Sequence, residues 1–90
     1  MNNSYKVQLF GAVVTKFLGA TKYMLSRIKA TYPGASEGMK RTTITVLYQH
    51  EFNADENHAL ACRALADKMN WAGDWVGGWT PTGYYWVRVS

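Results

Sequence analysis

Tyr5, Val7 and Leu9 are apolar and alternate with Lys6 and Gln8. A period of two marks a strand with one buried face. The alternation runs on through Val13, Thr15 and Phe17, so a strand is expected over about Tyr5–Phe17. A helix starting near Ala12, with Val14, Phe17, Leu18, Thr21, Leu25 and Ile28 on one stripe, competes for its second half. Gly11 and Gly19 suit neither arrangement. A helix is then expected over about Ala20–Thr31, with Thr21 as N-cap. Met24, Leu25 and Ile28 would face inward, and Lys22, Ser26 and Lys29 outward. Pro33 stops it, and Pro33 to Gly38 reads as a short linker of small residues.

Thr42 to Phe52 reads as a second strand, with Ile44, Val46, Tyr48 and His50 on one side and Thr45, Leu47, Gln49 and Glu51 on the other. Asn53 and Glu56 form a capping-box pattern. Ala54, His58, Ala61, Cys62, Leu65 and Met69 follow at helical spacing. Asn70 to Gly73 closes that helix, with Gly73 near the stop. The rest reads as a hairpin of Trp75–Trp79 and Tyr84–Val89 around Thr80-Pro81-Thr82-Gly83. Tyr85, Val87 and Val89 would point to one side, and Tyr84, Trp86 and Arg88 to the other. The order strand–helix occurs twice, over 5–31 and 42–70, without sequence similarity between the two. The expected fold is a single α+β domain over residues 1–90: a mostly antiparallel sheet of three to four strands with two helices on one face.

Ninety residues make one domain with a modest core, burying about 60–65% of the unfolded surface. No apolar run approaches the ~18 residues of a membrane span, and the polar start Met1–Ser4 does not read as a secretory signal. Cys62 is the one cysteine, which excludes an internal disulfide and points to the reducing cytoplasm.

Charge changes the picture. Residues 1–41 carry seven Lys/Arg against Glu37 alone, and residues 42–90 carry three against five acids. A basic half joined to a slightly acidic one points to an anionic partner, or to a surface that is merely well solvated. Lys22, Arg27, Lys29, Lys40 and Arg41 form the electrostatic footprint. All four tryptophans, Trp71, Trp75, Trp79 and Trp86, fall in the last twenty residues with Tyr84 and Tyr85. A small chain has little room to bury so many rings, and exposed Trp and Tyr are typical binding anchors. Tyr84, Trp86 and Arg88 on one strand face could stack unpaired bases or grip a protein, unless they pack under a helix.

Catalytic and metal motifs are weak by contrast. His58 and Cys62 share a helix face, but a zinc site needs three or four ligands. A Cys–His nucleophile in mid-helix lacks free backbone donors for an oxyanion. The glycines match no phosphate loop, and Gly77-Gly78 suits a bend in an edge strand. No RNA-binding octamer or Gly-x-x-Gly signature is present. Neither enzyme activity, metal nor cofactor is expected.

The stretch Glu56-Asn57-His58-Ala59-Leu60-Ala61-Cys62-Arg63-Ala64-Leu65-Ala66-Asp67-Lys68, then Trp71, then Gly83-Tyr84-Tyr85-Trp86-Val87-Arg88-Val89, resembles small phage-encoded proteins, among them anti-CRISPR inhibitors. The resemblance covers roughly the second half of the chain and transfers no residue roles. It implies a non-enzymatic protein that binds a host CRISPR surveillance complex in the host cytoplasm and blocks its nucleic-acid binding by steric occlusion. Many such inhibitors are acidic and imitate DNA. A basic chain would instead meet guide RNA or an acidic protein surface. On this reading Trp75, Trp79, Tyr84 and Trp86 are the anchors, and Lys22, Arg27, Lys29, Lys40, Arg41 and Arg88 supply attraction. The alternative is a stand-alone nucleic-acid-binding regulator. A homodimer through the hairpin edge is compatible with either.

Overall fold

A computed structural model of the chain describes residues 12–33 and 41–89. These described residues hold five strands and one helix, β1 (Val13–Leu18), β2 (Arg27–Tyr32), β3 (Thr42–Leu47), α1 (Ala54–Lys68), β4 (Trp75–Thr80) and β5 (Gly83–Arg88). The strands form one sheet in the order β3-β2-β1-β5-β4, and every neighbouring pair is antiparallel. The class is α+β; among the described residues the sheet has five strands where three to four were expected, and there is one helix where two were expected. None of the described helices is long and apolar enough to cross a membrane.

The expected helix over Ala20–Thr31 is the main correction. Residues 19–26 connect two strands, and Arg27–Tyr32 is itself a strand. Ile28, Ala30 and Tyr32 are buried at a period of two, and β2 pairs with β1 on one side and β3 on the other. That double pairing overrides the short helical stripe. Thr21, taken as an N-cap, closes a turn: its Oγ1 accepts from the Met24 N–H at 3.0 Å and its own N–H donates to the Met24 carbonyl at 2.8 Å. Met24 and Leu25, expected in the core, are exposed.

The first strand begins at Val13, and the expected part over 5–11 lies outside the described residues, as does 34–38 of the linker. The competing helix from Ala12 is not formed. β3 stops at Leu47 because the chain turns there, with the Phe52 N–H donating to the Gln49 carbonyl at 3.1 Å. Asn57, from α1, fixes this turn. Its Oδ1 accepts from the Gln49 N–H at 2.7 Å, and its Nδ2 contacts the carbonyls of Gln49 (2.8 Å), Phe52 (3.2 Å) and Asn53 (3.0 Å). Asn57 is buried, so these bonds replace water that cannot reach it.

The capping box of α1 is formed in full: Glu56 N–H donates to Asn53 Oδ1 and Asn53 N–H to Glu56 Oε1. At the other end Asn70, with φ 58°, takes the left-handed position expected nearer Gly73. The Trp71 N–H then reaches back to the Ala66 carbonyl at 2.8 Å. This six-to-one closure returns the chain toward the sheet.

The helix lies over β1, β2 and β3. Its Ala61, Cys62 and Leu65 join Val13, Ile28, Ala30, Tyr32 and Trp86 in the core. The small side chains of Ala61 and Cys62 let the helix approach the sheet closely. The hairpin forms as expected, with Pro81 and Thr82 at the tip and the predicted split of faces.

Candidate functional site

Register assigns every strand side chain to a face, because directly opposed residues of an antiparallel pair point the same way. Thr15, Ala30, Ile44 and Tyr84 lie on the helix side. Among the described residues no helix lies over the opposite face. It carries Thr43, Thr45 and Leu47 on β3; Arg27, Lys29 and Thr31 on β2; Val14, Lys16 and Leu18 on β1; Tyr85 and Val87 on β5; and Val76 on β4. None of these strand positions is acidic.

Lys16 stands directly across from Lys29, and Leu18 across from Arg27. Like charges in opposed positions repel, so this pair makes the face locally electropositive. Tyr85 is opposite Val14, diagonal to Lys16. Together Val14, Lys16, Lys29, Thr31, Arg41 and Tyr85 line a depression of about 300 Å³. Tyr85 is 42% exposed. An aromatic ring among cations on a sheet face is suited to stacking unpaired bases while ammonium and guanidinium groups hold phosphates.

The aromatic anchors expected from sequence separate into different environments. Trp86 is buried, and its Nε1–H donates to Thr15 Oγ1 at 2.9 Å. It is a core residue in the isolated chain. Tyr84 is half-buried, its ring stacked on His58 with centroids 4.0 Å apart and its hydroxyl donating to the Asp55 carboxylate. That hydrogen bond is the main cause that raises its pKa. Trp75 is half-buried and stacks on Trp71 at 5.8 Å, which in turn packs edge-on against Tyr32 at 4.7 Å. Trp79 alone of the four indoles is largely exposed, at 69%. The Tyr84, Trp86, Arg88 row does share one face, but it is the helix side. The exposed stacking position on β5 is Tyr85.

The cations separate too. Arg27 and Lys29 lie on the open face, as strand residues two apart, and Arg41 lies at its depression. Lys22 sits in the β1–β2 connection, its ammonium 5.6 Å from the centre of the Tyr23 ring. Arg88 is on the helix side opposite Trp75, and Lys40 lies outside the described residues. Lys16 and Tyr85 were missed as site residues. Lys16 was hidden in a segment with two competing readings, and Tyr85 was set on the strand side away from the Tyr84, Trp86, Arg88 row that was taken as the candidate surface.

The His58–Cys62 pair has other work. Trp86 Nε1–H can only donate, so Thr15 Oγ1 accepts from it, and the same hydroxyl is hydrogen-bonded to His58 Nδ1, 2.7 Å away. Burial lowers the pKa of His58, against smaller raising effects of Asp55 and of a hydrogen bond to the Thr15 backbone. Burial pushes the Cys62 thiol up to about 11, so it stays protonated at neutral pH and lacks the thiolate a nucleophile needs. Among the described residues no group of three or more His, Cys, Asp or Glu side chains could hold a metal ion.

No protein-family model, curated protein or solved structure matches this chain.

Proposed function

We propose that this protein binds single-stranded nucleic acid across the open face of its sheet. The observation that carries the reading is Lys16 set directly against Lys29 on a face that no described helix covers, with Tyr85 beside them. Lys16, Lys29, Arg27 and Arg41 hold the phosphates, and Tyr85 offers its ring to a base. The binding is tolerant of sequence, because stacking and phosphate contact both are. The test is fluorescence anisotropy with labelled oligo-dT and oligo-U. Tyr85→Ala weakens binding by about tenfold or more, the usual cost of losing one stacked base. Equal binding by Tyr85→Ala and wild type sinks the stacking role.

A second reading makes the target a ribonucleoprotein, in line with the likeness to anti-CRISPR inhibitors of host surveillance complexes. One observation favours it. Tyr23, Met24 and Leu25 are exposed by 85%, 52% and 69% in the connection that leads into Arg27, giving an apolar contact for protein beside the basic face. Capture of the complex that survives nuclease and is lost in Tyr23→Ala/Leu25→Ala supports this reading. Capture abolished by nuclease supports nucleic acid alone.

A further inference from the structure

We infer that β4 is a self-pairing edge and that its natural partner is β4 of a second copy of this chain, with each Trp79 seated in the other copy's groove. Three features of β4 lead there. The first is its free edge. Among the described residues β4 is an outer strand of the sheet. The Val89 N–H donates to the Asp74 carbonyl at 2.8 Å, so the even-numbered positions turn their backbone groups toward β5. Trp75, Gly77 and Trp79 therefore present their N–H and C=O groups outward. Edges are usually blunted by charges or proline, and Trp75–Thr80 contains neither.

The second feature is register. In the antiparallel arrangement with a two-fold axis at Gly77, Gly77 opposes itself, and Trp75 opposes the partner's Trp79. Each of these pairs exchanges both backbone hydrogen bonds, with Cα atoms about 5.5 Å apart. The same register sets Gly73, whose φ of 110° is outside the strand region, against Pro81, which has no N–H to donate. The two residues that end the ladder thus fall opposite each other, and every outward group between them is used. Moving the register one pair either way brings Pro81 or Gly73 into the ladder.

The third feature is the space beside β4. Because α1 covers the other half of the sheet, a groove of about 560 Å³ opens between helix and edge, lined by Phe52, Ala59, Leu60, Cys62, Trp75 and Trp86, with Glu56, Arg63 and Asp74 also at its wall. Trp79 lies on the same side of the sheet as Trp75. In the dimer its indole, 69% exposed in the single chain, stands against the partner's Trp75 at the mouth of that groove. Each ring takes up to about 150–250 Å² out of water. An interface built from two short edges and two indoles belongs with the weaker associations, with a dissociation constant in the range of ~10⁻⁶–10⁻³ M. The axis stands perpendicular to the sheet, so both open basic faces emerge on one side of a continuous sheet.

Sedimentation velocity without nucleic acid tests this directly. The weight-average mass of the wild type rises from one chain toward two across that concentration range. Trp79→Lys, an exposed position whose backbone bonds to β5 are not involved, weakens self-association at least about tenfold. Hydrogen exchange supplies the second measurement: the amides of Trp75, Gly77 and Trp79 gain protection as concentration rises, and the Trp79→Lys chain shows no such gain. A wild type that stays monomeric throughout, or a dimer unaffected by Trp79→Lys, overturns the inference. So does concentration-independent exchange at those three amides.

Discussion

The indole of Trp86 lies over Gly77 so closely that a Cβ on Gly77 would stand 2.3 Å from the ring. Trp86 therefore spans β5, its Nε1 reaching β1 at Thr15 while its benzene ring covers β4. Gly77 is required by this contact, since the space a side chain needs is already filled. Gly77→Ala should destabilise the fold by about 1–3 kcal/mol, the cost of overpacking a core. Gly78, where a Cβ meets nothing within 4 Å, should tolerate alanine within about 0.5 kcal/mol. Urea denaturation of the two variants gives the comparison, and equal midpoints would place the ring elsewhere.

Asn57 carries the connection from β3 to α1. Its truncation leaves the Gln49 N–H and the Phe52 carbonyl without the Asn57 side chain, while the carbonyls of Gln49 and Asn53 keep their backbone partners. Asn57→Ala should cost about 2–3 kcal/mol, from stranded polar groups and not from lost apolar area. Amide exchange at Gln49 should accelerate more than exchange in β5. A uniform loss across the sheet would argue against this local role.

The buried His58 makes stability depend on pH in a definite direction. Its pKa is lowered in the fold, chiefly by burial. The unfolded chain therefore takes up the proton first as pH falls below about 6.5. Stability is fully present above that value and declines as pH drops through the lowered folded pKa. The decline should be absent in His58→Gln when denaturation midpoints at pH 7 and pH 5 are compared. Retention of the whole decline would assign it to carboxylates.

Cys62 should be slow to react. With its pKa raised to about 11 from 9.0, the thiolate fraction at pH 8 is about a hundredfold below that of the unperturbed thiol. A thiol-specific disulfide reagent should modify the native chain at least that much more slowly than the denatured chain. Equal rates would mean that the helix does not shield the thiol.

The sequence carried the second half of the fold clearly and the first half poorly, for physical reasons. α1 announces itself by its capping box and by alanines at helical spacing. The hairpin follows from proline and glycine at fixed turn positions. β2 gives no such local signal. Ile28, Ala30 and Tyr32 alternate over only six residues, and their strand state comes from pairing with β1 and β3, which no local window contains. The candidate site shared that fate. Arg27 and Lys29 were singled out for their charge, yet their common face depends on strand geometry. Lys16 and Tyr85 join them only through registers spanning the chain. Trp86 was expected at the surface because a small fold has little room for indoles, but a glycine on the next strand made the room.

The most direct test of the open face is the salt dependence of oligonucleotide binding by the wild type and by Lys16→Glu/Lys29→Glu. Three to four phosphate contacts predict a log–log slope of about −2 to −3 for a single strand. The double variant should bind at least about tenfold more weakly, with a shallower slope. A flat salt response, or a charge-reversed variant that binds as well as the wild type, would contradict the account.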